Sequence, residues 1–243
     1  MTNKKEIIAG IIIIGNEVLS GRTKDVNTST IATWLNSLGI TVKEVRVIPD
    51  DKEKIIDTVN LLRKNFNYVF TTGGIGPTHD DITAESISEA FNLKYDFHKE
   101  AFSILENYYK PGEFSEGRQK MAKMPTSAKL IMNPSSGAPG FYVENVFCLP
   151  GVPSILKSML TGLNNKIIGG KKIFSKTISI QTVESEIAKP LKNIQNKFKN
   201  VEIGSYPFFQ LGKIGVSLVI RSTEKKQIDE CCKQIVSFIK KEK

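Results

Sequence analysis

The sequence predicts an α/β fold: βαβ units around a mostly parallel sheet over residues 1–165, then a small basic α+β domain over residues 166–243. Three observations carry this. Apolar runs alternate with helix-periodic stretches through the first two-thirds of the chain. A segment rich in lysine and glycine, Lys166–Lys172, then interrupts the pattern and reads as a linker. The charge changes at the same place. Up to residue 165, 18 Lys+Arg balance 18 Asp+Glu; beyond it 16 stand against 7, which is the whole formal net charge of +9.

Taken in order, Ile7–Ile14 is a continuous apolar run suited to a buried strand. Asn27 or Thr28 is placed to cap a helix with Ile31, Leu35 and Leu38 on one face, ended by Gly39. Thr41–Ile48 alternates as a strand. Asp50–Glu53 has the capping-box form, with Asp50 as the cap, and Ile55, Val59 and Leu62 line the helix that follows. Tyr68–Thr72 is the next strand, and Thr83 is placed to cap a helix through Asn92. Helical stretches near 99–109 and 115–123 precede short strands near 128–132, 140–143 and 145–149. Pro153 suits the first turn of a helix reaching about Leu163. Past the linker come a strand (Ile173–Ile180), a helix (184–199), two strands (Val201–Tyr206 and Ile214–Arg221) and a last helix (224–240).

Composition excludes several classes. The 243 residues, 40% hydrophobic, suffice for one large domain and a small one. No run of eighteen apolar residues exists, so no membrane span is expected. Ile7–Ile14 is too short, and lacks the cleavage site, for a signal peptide. Cys148, Cys231 and Cys232 make no disulfide framework, which fits a reducing cytoplasm. No Cys/His group has zinc spacing. The basic tail could serve nucleic acid, but 29 Lys against 5 Arg favours a solvated lysine face. Nucleic acid is therefore not the expected partner.

Chemistry concentrates where the third strand ends, in Thr72-Gly73-Gly74-Ile75-Gly76-Pro77-Thr78-His79-Asp80-Asp81. This is neither a dinucleotide fingerprint nor a P-loop: position 79 is histidine, and no Gly-Lys-Ser/Thr follows. Glycines still let amide groups approach an anion, and the following helix adds its positive end. Asp80 and Asp81 would repel a phosphate unless a cation intervened, which points to a Mg²⁺-like ion. They also suit the first turn of a helix. Asp50 lies on the same edge, where it serves either that ion or the next helix as cap. Gly15-Asn16-Glu17, Pro49-Asp50-Asp51 and the glycine loop all fall at carboxyl ends of strands, where open α/β sheets bind ligands. His79 reads as solvated, His98 as a residue opening a helix, Cys148 as a core thiol, and Trp34 as packing with an oligomer contact possible. Cys231 and Cys232 are adjacent on a helix and are not expected to share a face. Gly212-Lys213-Ile214-Gly215 reads as a hairpin turn rather than a nucleic-acid clamp.

Seven segments in order carry a resemblance: Gly15–Gly21 (GNEVLSG), Asn27-Thr28, Thr72–Thr78, Asp80–Thr83, Asn133-Pro134, Gly137–Phe141 and Leu149–Pro153. Over residues 6–165 the chain resembles the molybdopterin-binding domain family of molybdenum-cofactor biosynthesis. It is most similar to the N-terminal domain of the competence/damage-inducible protein CinA and the corresponding domain of FAD synthases. Ile203–Pro207 resembles the small KH-like region that follows in those proteins. The resemblance implies a three-layer α/β/α domain that binds a small-molecule nucleotide or pterin. For the CinA-like branch it implies metal-dependent hydrolysis of the pyrophosphate of ADP-ribose- or FAD-like dinucleotides. For the wider family it implies binding or adenylylation of molybdopterin.

The expected catalytic residues are Asp81, Asp80 and Asp50, with Asp81 and Asp50 holding the divalent metal. The expected substrate-binding residues are Glu17, Asn27, Thr72, Gly73, Gly74, Gly76, Pro77, Thr78, Gly137, Gly140, Pro150 and Gly151. A homo-oligomer is expected. Two departures stand out: Asn16 where CinA-like proteins usually carry aspartate, and Ser135-Ser136 in place of a more apolar pair. The sequence stops at Lys243 without CinA's amidohydrolase domain or a FAD-synthesising domain, so neither of those reactions is expected.

Overall fold

The structure is a computed structural model that describes residues 6–210 and 213–241. The chain divides between Gly170 and Lys171 into two compact units.

In the first unit β1 (Ile8–Ile14) passes through a single turn, α1 (Asn16–Leu19), to α2 (Asn27–Ser37), β2 (Thr41–Ile48), α3 (Lys52–Asn65), β3 (Tyr68–Thr72) and α4 (Thr83–Ala90). Then come β4 (Tyr95–Phe97), α5 (Lys99–Tyr108), α6 (Glu116–Lys120), β5 (Lys123–Pro125), β6 (Lys129–Ile131), β7 (Gly140–Val143), β8 (Val146–Leu149) and α7 (Pro153–Leu160), which a 3-10 turn extends to Leu163. The main sheet runs β2-β1-β3-β8-β7-β6. Pairings β1–β2, β1–β3 and β3–β8 are parallel, and β7 alone runs against its neighbours. The mostly parallel α/β reading therefore holds.

The continuous apolar run of β1 follows from coverage on both faces. Ile12 and Ile14 pack with Ile55, Val59 and Leu62 of α3 and Ile87 of α4. Ile11 and Ile13 pack on the other side with Ile31 and Leu35 of α2 and Leu156 and Met159 of α7. Three layers result. On the second face Phe70 stacks on Phe147 at 5.0 Å and takes the edge of Trp34 at 5.7 Å.

Three expected caps move by one to three positions. Asp51, not Asp50, caps α3, accepting from Lys54 N at 2.9 Å. Asp25, not Asn27 or Thr28, accepts from the first amides of α2, at 2.9 and 3.2 Å. Thr83 lies inside α4, fully buried, with its hydroxyl donating to Gly73 O at 3.0 Å. The helix ends earlier than expected, at Ala90, and Asn92 takes a left-handed φ of 52°. The expected linker starts late: Ile167 is buried in the α2/α7 core, and Lys166 Nζ donates to Leu130 O at 2.8 Å. Residues 166–170 thus belong to the first unit. The short pair β4–β5 was not foreseen, because three residues per strand give no periodicity to read.

The second unit contains β9 (Phe174–Ile180), α8 (Glu184–Lys197), β10 (Glu202–Gln210), β11 (Lys213–Ser222) and α9 (Lys225–Lys241), with the antiparallel sheet order β10-β11-β9. Val216, Leu218 and Ile220 pack against Ile187 and Ile194 of α8 and Ile228 and Ile235 of α9. Contrary to expectation, Cys231 and Cys232 both enter this core, because the apolar arc of α9 is wide enough to take adjacent residues. Strands β10 and β11 pair from Glu202 to Gln210, as a hairpin requires. The turn expected around Gly212 itself includes residues 211 and 212, which lie outside the described residues. Among the described residues no helix is long and apolar enough to cross a membrane.

Candidate functional site

The parallel strands deliver three loops to one edge. Beyond β1, Gly15 N donates to Ile48 O at 3.1 Å and Asn16 N to Asp50 Oδ2 at 2.8 Å. Asp50 thus ties the end of β1 to the end of β2, a role left open to it because its neighbour caps α3. Beyond β3, Gly73 and Gly74 take φ of 103° and 68°. A Cβ on Gly73 would lie 2.1 Å from Ile14 O, and one on Gly74 2.1 Å from Thr83 Oγ1. These two glycines are required by both conformation and space.

The rest of the loop folds on Asp81. Its Oδ2 accepts from Thr78 N at 2.8 Å and Thr78 Oγ1 at 2.5 Å. Gly76 makes room, since a Cβ there would sit 2.7 Å from the same oxygen. The Asp80 carboxyl is held below the ordinary aspartate range, chiefly by the Thr78 side chain beside it, with its own amide, His79 and Lys120 adding to the effect. Lys120 Nζ donates to Thr78 O. His79 is almost wholly exposed, as its solvated reading required.

Beneath the loop, Asn27 Nδ2 donates to Thr72 Oγ1 at 2.9 Å and to Gly151 O at 2.8 Å. One buried amide thereby clamps α2, β3 and the turn after β8 together. The loops enclose a cleft of about 570 Å³. Of the expected residues, Glu17, Asp50, Gly73, Gly74, Gly76, Pro77, Thr78, Asp80, Asp81, Pro150 and Gly151 line it. Asn27, Thr72, Gly137 and Gly140 do not. Asn27 and Thr72 are buried behind the wall. Gly137 stands over the Tyr108 ring, and Gly140 lies in β7, where a Cβ would meet Cys148 O at 2.5 Å.

Residues 10–169 match the family model for the probable molybdopterin binding domain. The chain belongs to that family. Residues 172–243 match the middle domain of FAD synthase. An Archaeoglobus fulgidus protein is 34% identical over 197 residues, covering 81% of this chain and 84% of that one. A Sulfolobus acidocaldarius protein is 31% identical over 246 residues, covering 96% and 93%. Among solved structures, CinA of Thermoplasma acidophilum, a protein of unknown function, superposes with a TM-score of 0.63 at 31% identity, over 66% of this chain and 98% of that one.

This member of the molybdopterin-binding family, of CinA type, has a cleft wall that was not foreseen. Ile14, Ile75, Met121, Ala138, Pro139, Val152 and Ile155 make it largely apolar, with Asn133 and Ser136 among them. The Asn133 amide accepts from Ser135 N and Ser136 N and donates to Ser136 Oγ and Ala138 O, so it shapes the turn. The Asn-Pro motif was visible in the sequence; the approach of α6, which brings Lys120 and Met121, was not. Among the described residues no three His, Cys, Asp or Glu side chains group closely enough to hold a metal ion by themselves. The donors at the cleft, Glu17, Asp50, Asp80 and Asp81, are all hard oxygens, and Asp81 and Asp50 each commit one oxygen to the loops. Such a set fits a Mg²⁺-like ion completed by ligand phosphate and water, and does not fit zinc.

Proposed function

We propose that the cleft binds a phosphorylated nucleotide and hydrolyses the phosphoanhydride of ADP-ribose- or FAD-like dinucleotides with the help of a divalent cation. One observation supports this above the others: a two-glycine turn with left-handed backbone stands among four carboxylates, and no lysine or arginine lines the cleft among the described residues. The loop's own hydrogen bonds use the amides of Gly73 and Thr78. Those of Gly74, Ile75 and Gly76 are left for a phosphate, which only a cation lets approach Asp80 and Asp81.

A bound Mg²⁺-like ion, held by Asp81 and Asp50, supplies charge neutralisation at the anhydride. The Asp80 carboxylate accepts a hydrogen bond from the attacking water and orients it. The water oxygen joins one phosphorus, the bridging P–O bond breaks with its oxygen leaving on the other phosphate, the water's protons pass to solvent, and two monophosphates leave. Glu17 positions the ribose, and the apolar wall takes the base.

A second reading, adenylyl transfer to a pterin, uses the same groups with another acceptor in place of water. It is favoured by the breadth of the apolar wall and by the family to which the chain belongs. The purified protein is incubated with ADP-ribose, FAD and ATP plus molybdopterin, each with Mg²⁺ and with EDTA, and the products are separated. Metal-dependent release of AMP from the dinucleotides supports the first reading. Adenylylated pterin without dinucleotide cleavage supports the second. No turnover of any substrate overturns both.

A further inference from the structure

We propose that Lys120 is a phosphate-binding residue of this cleft, its ammonium donating to the ligand's phosphate across the carbonyl of Thr78. The inference rests on the reading of the cleft as a phosphate site and extends it.

The argument begins with charge. Glu17, Asp50, Asp80 and Asp81 border the cleft, and no basic side chain lines it among the described residues. A phosphate with two negative charges meets four more, and a single divalent ion cannot balance them. Lys120 is a positive group bonded to the loop that borders the cleft. It sits at the end of α6, a five-residue helix that neither strand periodicity nor the glycine motif marks as part of the site. The structure brings α6 onto the loop at three points. Lys120 Nζ donates to Thr78 O. A Cβ on Gly117 would lie 3.4 Å from Pro77 O, an ordinary van der Waals contact between helix and loop. Met121, the next residue, lines the cleft itself.

An ammonium carries three donors and no acceptor, and Thr78 O engages one of them. The side chain is half-buried, so its charge is not fully screened by solvent. Its stem is long and flexible, which lets the remaining donors follow a phosphoryl group as it turns. The bond to Thr78 O also keeps the lysine beside the loop before any ligand arrives, which lowers the ordering cost on binding.

Lys120→Gln is the decisive variant. Its amide keeps a donor for Thr78 O and loses the charge. Lys120→Arg keeps the charge. Inorganic pyrophosphate and ADP-ribose are titrated calorimetrically into each full-length protein with Mg²⁺ present, and thermal melts check the fold. The expected result is a loss of roughly ten- to a hundredfold in affinity for both probes in Lys120→Gln. Lys120→Arg stays within a few-fold of the unsubstituted protein, and both melts are unchanged. If Lys120 only props the loop, Lys120→Gln binds like the unsubstituted protein, and the inference is overturned while the phosphate site stands. If the unsubstituted protein binds neither probe, the phosphate site is overturned and the inference with it.

Discussion

Replacing Gly73 by alanine tests whether the strand-to-loop turn is fixed by its surroundings or only by its backbone angle. Gly73 and Gly21 are two of several glycines of the first unit with a left-handed φ, at 103° and 73°. Their environments differ. A Cβ on Gly21 meets nothing within 4 Å, whereas one on Gly73 falls 2.1 Å from Ile14 O, a backbone atom in the middle of the sheet edge. Gly21→Ala should cost only the left-handed penalty, about 1–2 kcal/mol. Gly73→Ala adds an overpacking term of about 1–3 kcal/mol, because β1 cannot move away, giving roughly 2–5 kcal/mol in all. In a unit of this size that lowers the melting temperature by roughly 4–20 °C, against about 2–8 °C for Gly21→Ala. The assay is built into the molecule. Trp34 is the chain's one tryptophan and packs edge-on to Phe70, so its fluorescence follows the first unit alone. Equal shifts for the two variants would refute the steric argument and leave only the dihedral preference.

Asp81→Asn should keep the loop, since an amide oxygen still accepts from Thr78 N, while metal-dependent cleavage of ADP-ribose falls by at least about a hundredfold because amides hold hard cations poorly; turnover within threefold would remove Asp81 from the machinery. Asn27→Ala removes two hydrogen bonds, although the Thr72 hydroxyl keeps its bond to Pro150 O, so urea unfolding should show a loss of about 1–3 kcal/mol; a loss under 0.5 kcal/mol would show that the clamp is not structural. Burial pushes the Cys148 thiol up to about 12. A thiol near 9 when unfolded and near 12 when folded stabilises fully below pH 9, and that contribution is lost as pH rises towards 12. All three cysteines are buried, so none should react with a thiol reagent at pH 8 until denaturant is added; one fast-reacting thiol in the folded protein would contradict this.

The fold was legible wherever burial imposed a period. β1 could be read as a run without alternation because helices cover both its faces, and α3 because Ile55, Val59 and Leu62 repeat at helical spacing. The caps were misplaced because aspartate and asparagine crowd both helix starts, and local sequence does not say which carboxylate turns inward. Asp50 and Asp51 are chemically identical; the choice is made by Asn16 N, 34 residues away. The glycine loop could be read because Gly73, Gly74 and Gly76 answer to three distinct steric demands close to it in space. Gly137 and Gly140 carry the same motif signal for a different reason, packing against Tyr108 and β8, and sequence does not separate the two causes. The same limit hid Lys120, whose partner lies 42 residues earlier.

The placement of Asp50 shows how the fold and the site depend on one another. Had Asp50 capped α3, its carboxylate would point along the helix and Asn16 N would lose its acceptor. The turn after β1 would then be held to β2 by the Gly15–Ile48 bond alone. Because Asp51 takes the cap, Asp50 lies across the ends of both strands and presents its second oxygen on the edge where the glycine loop opens. Asp81 repeats the arrangement on the other side: one oxygen gathers Thr78, and the other is left over. Two carboxylates from different loops therefore face one cleft, each oriented by a bond that the bare fold already needs. A phosphate between them requires a cation, and on the inference above the charge of Lys120 besides. For that reason the charge of Lys120, rather than its hydrogen bond to Thr78, is the property to remove.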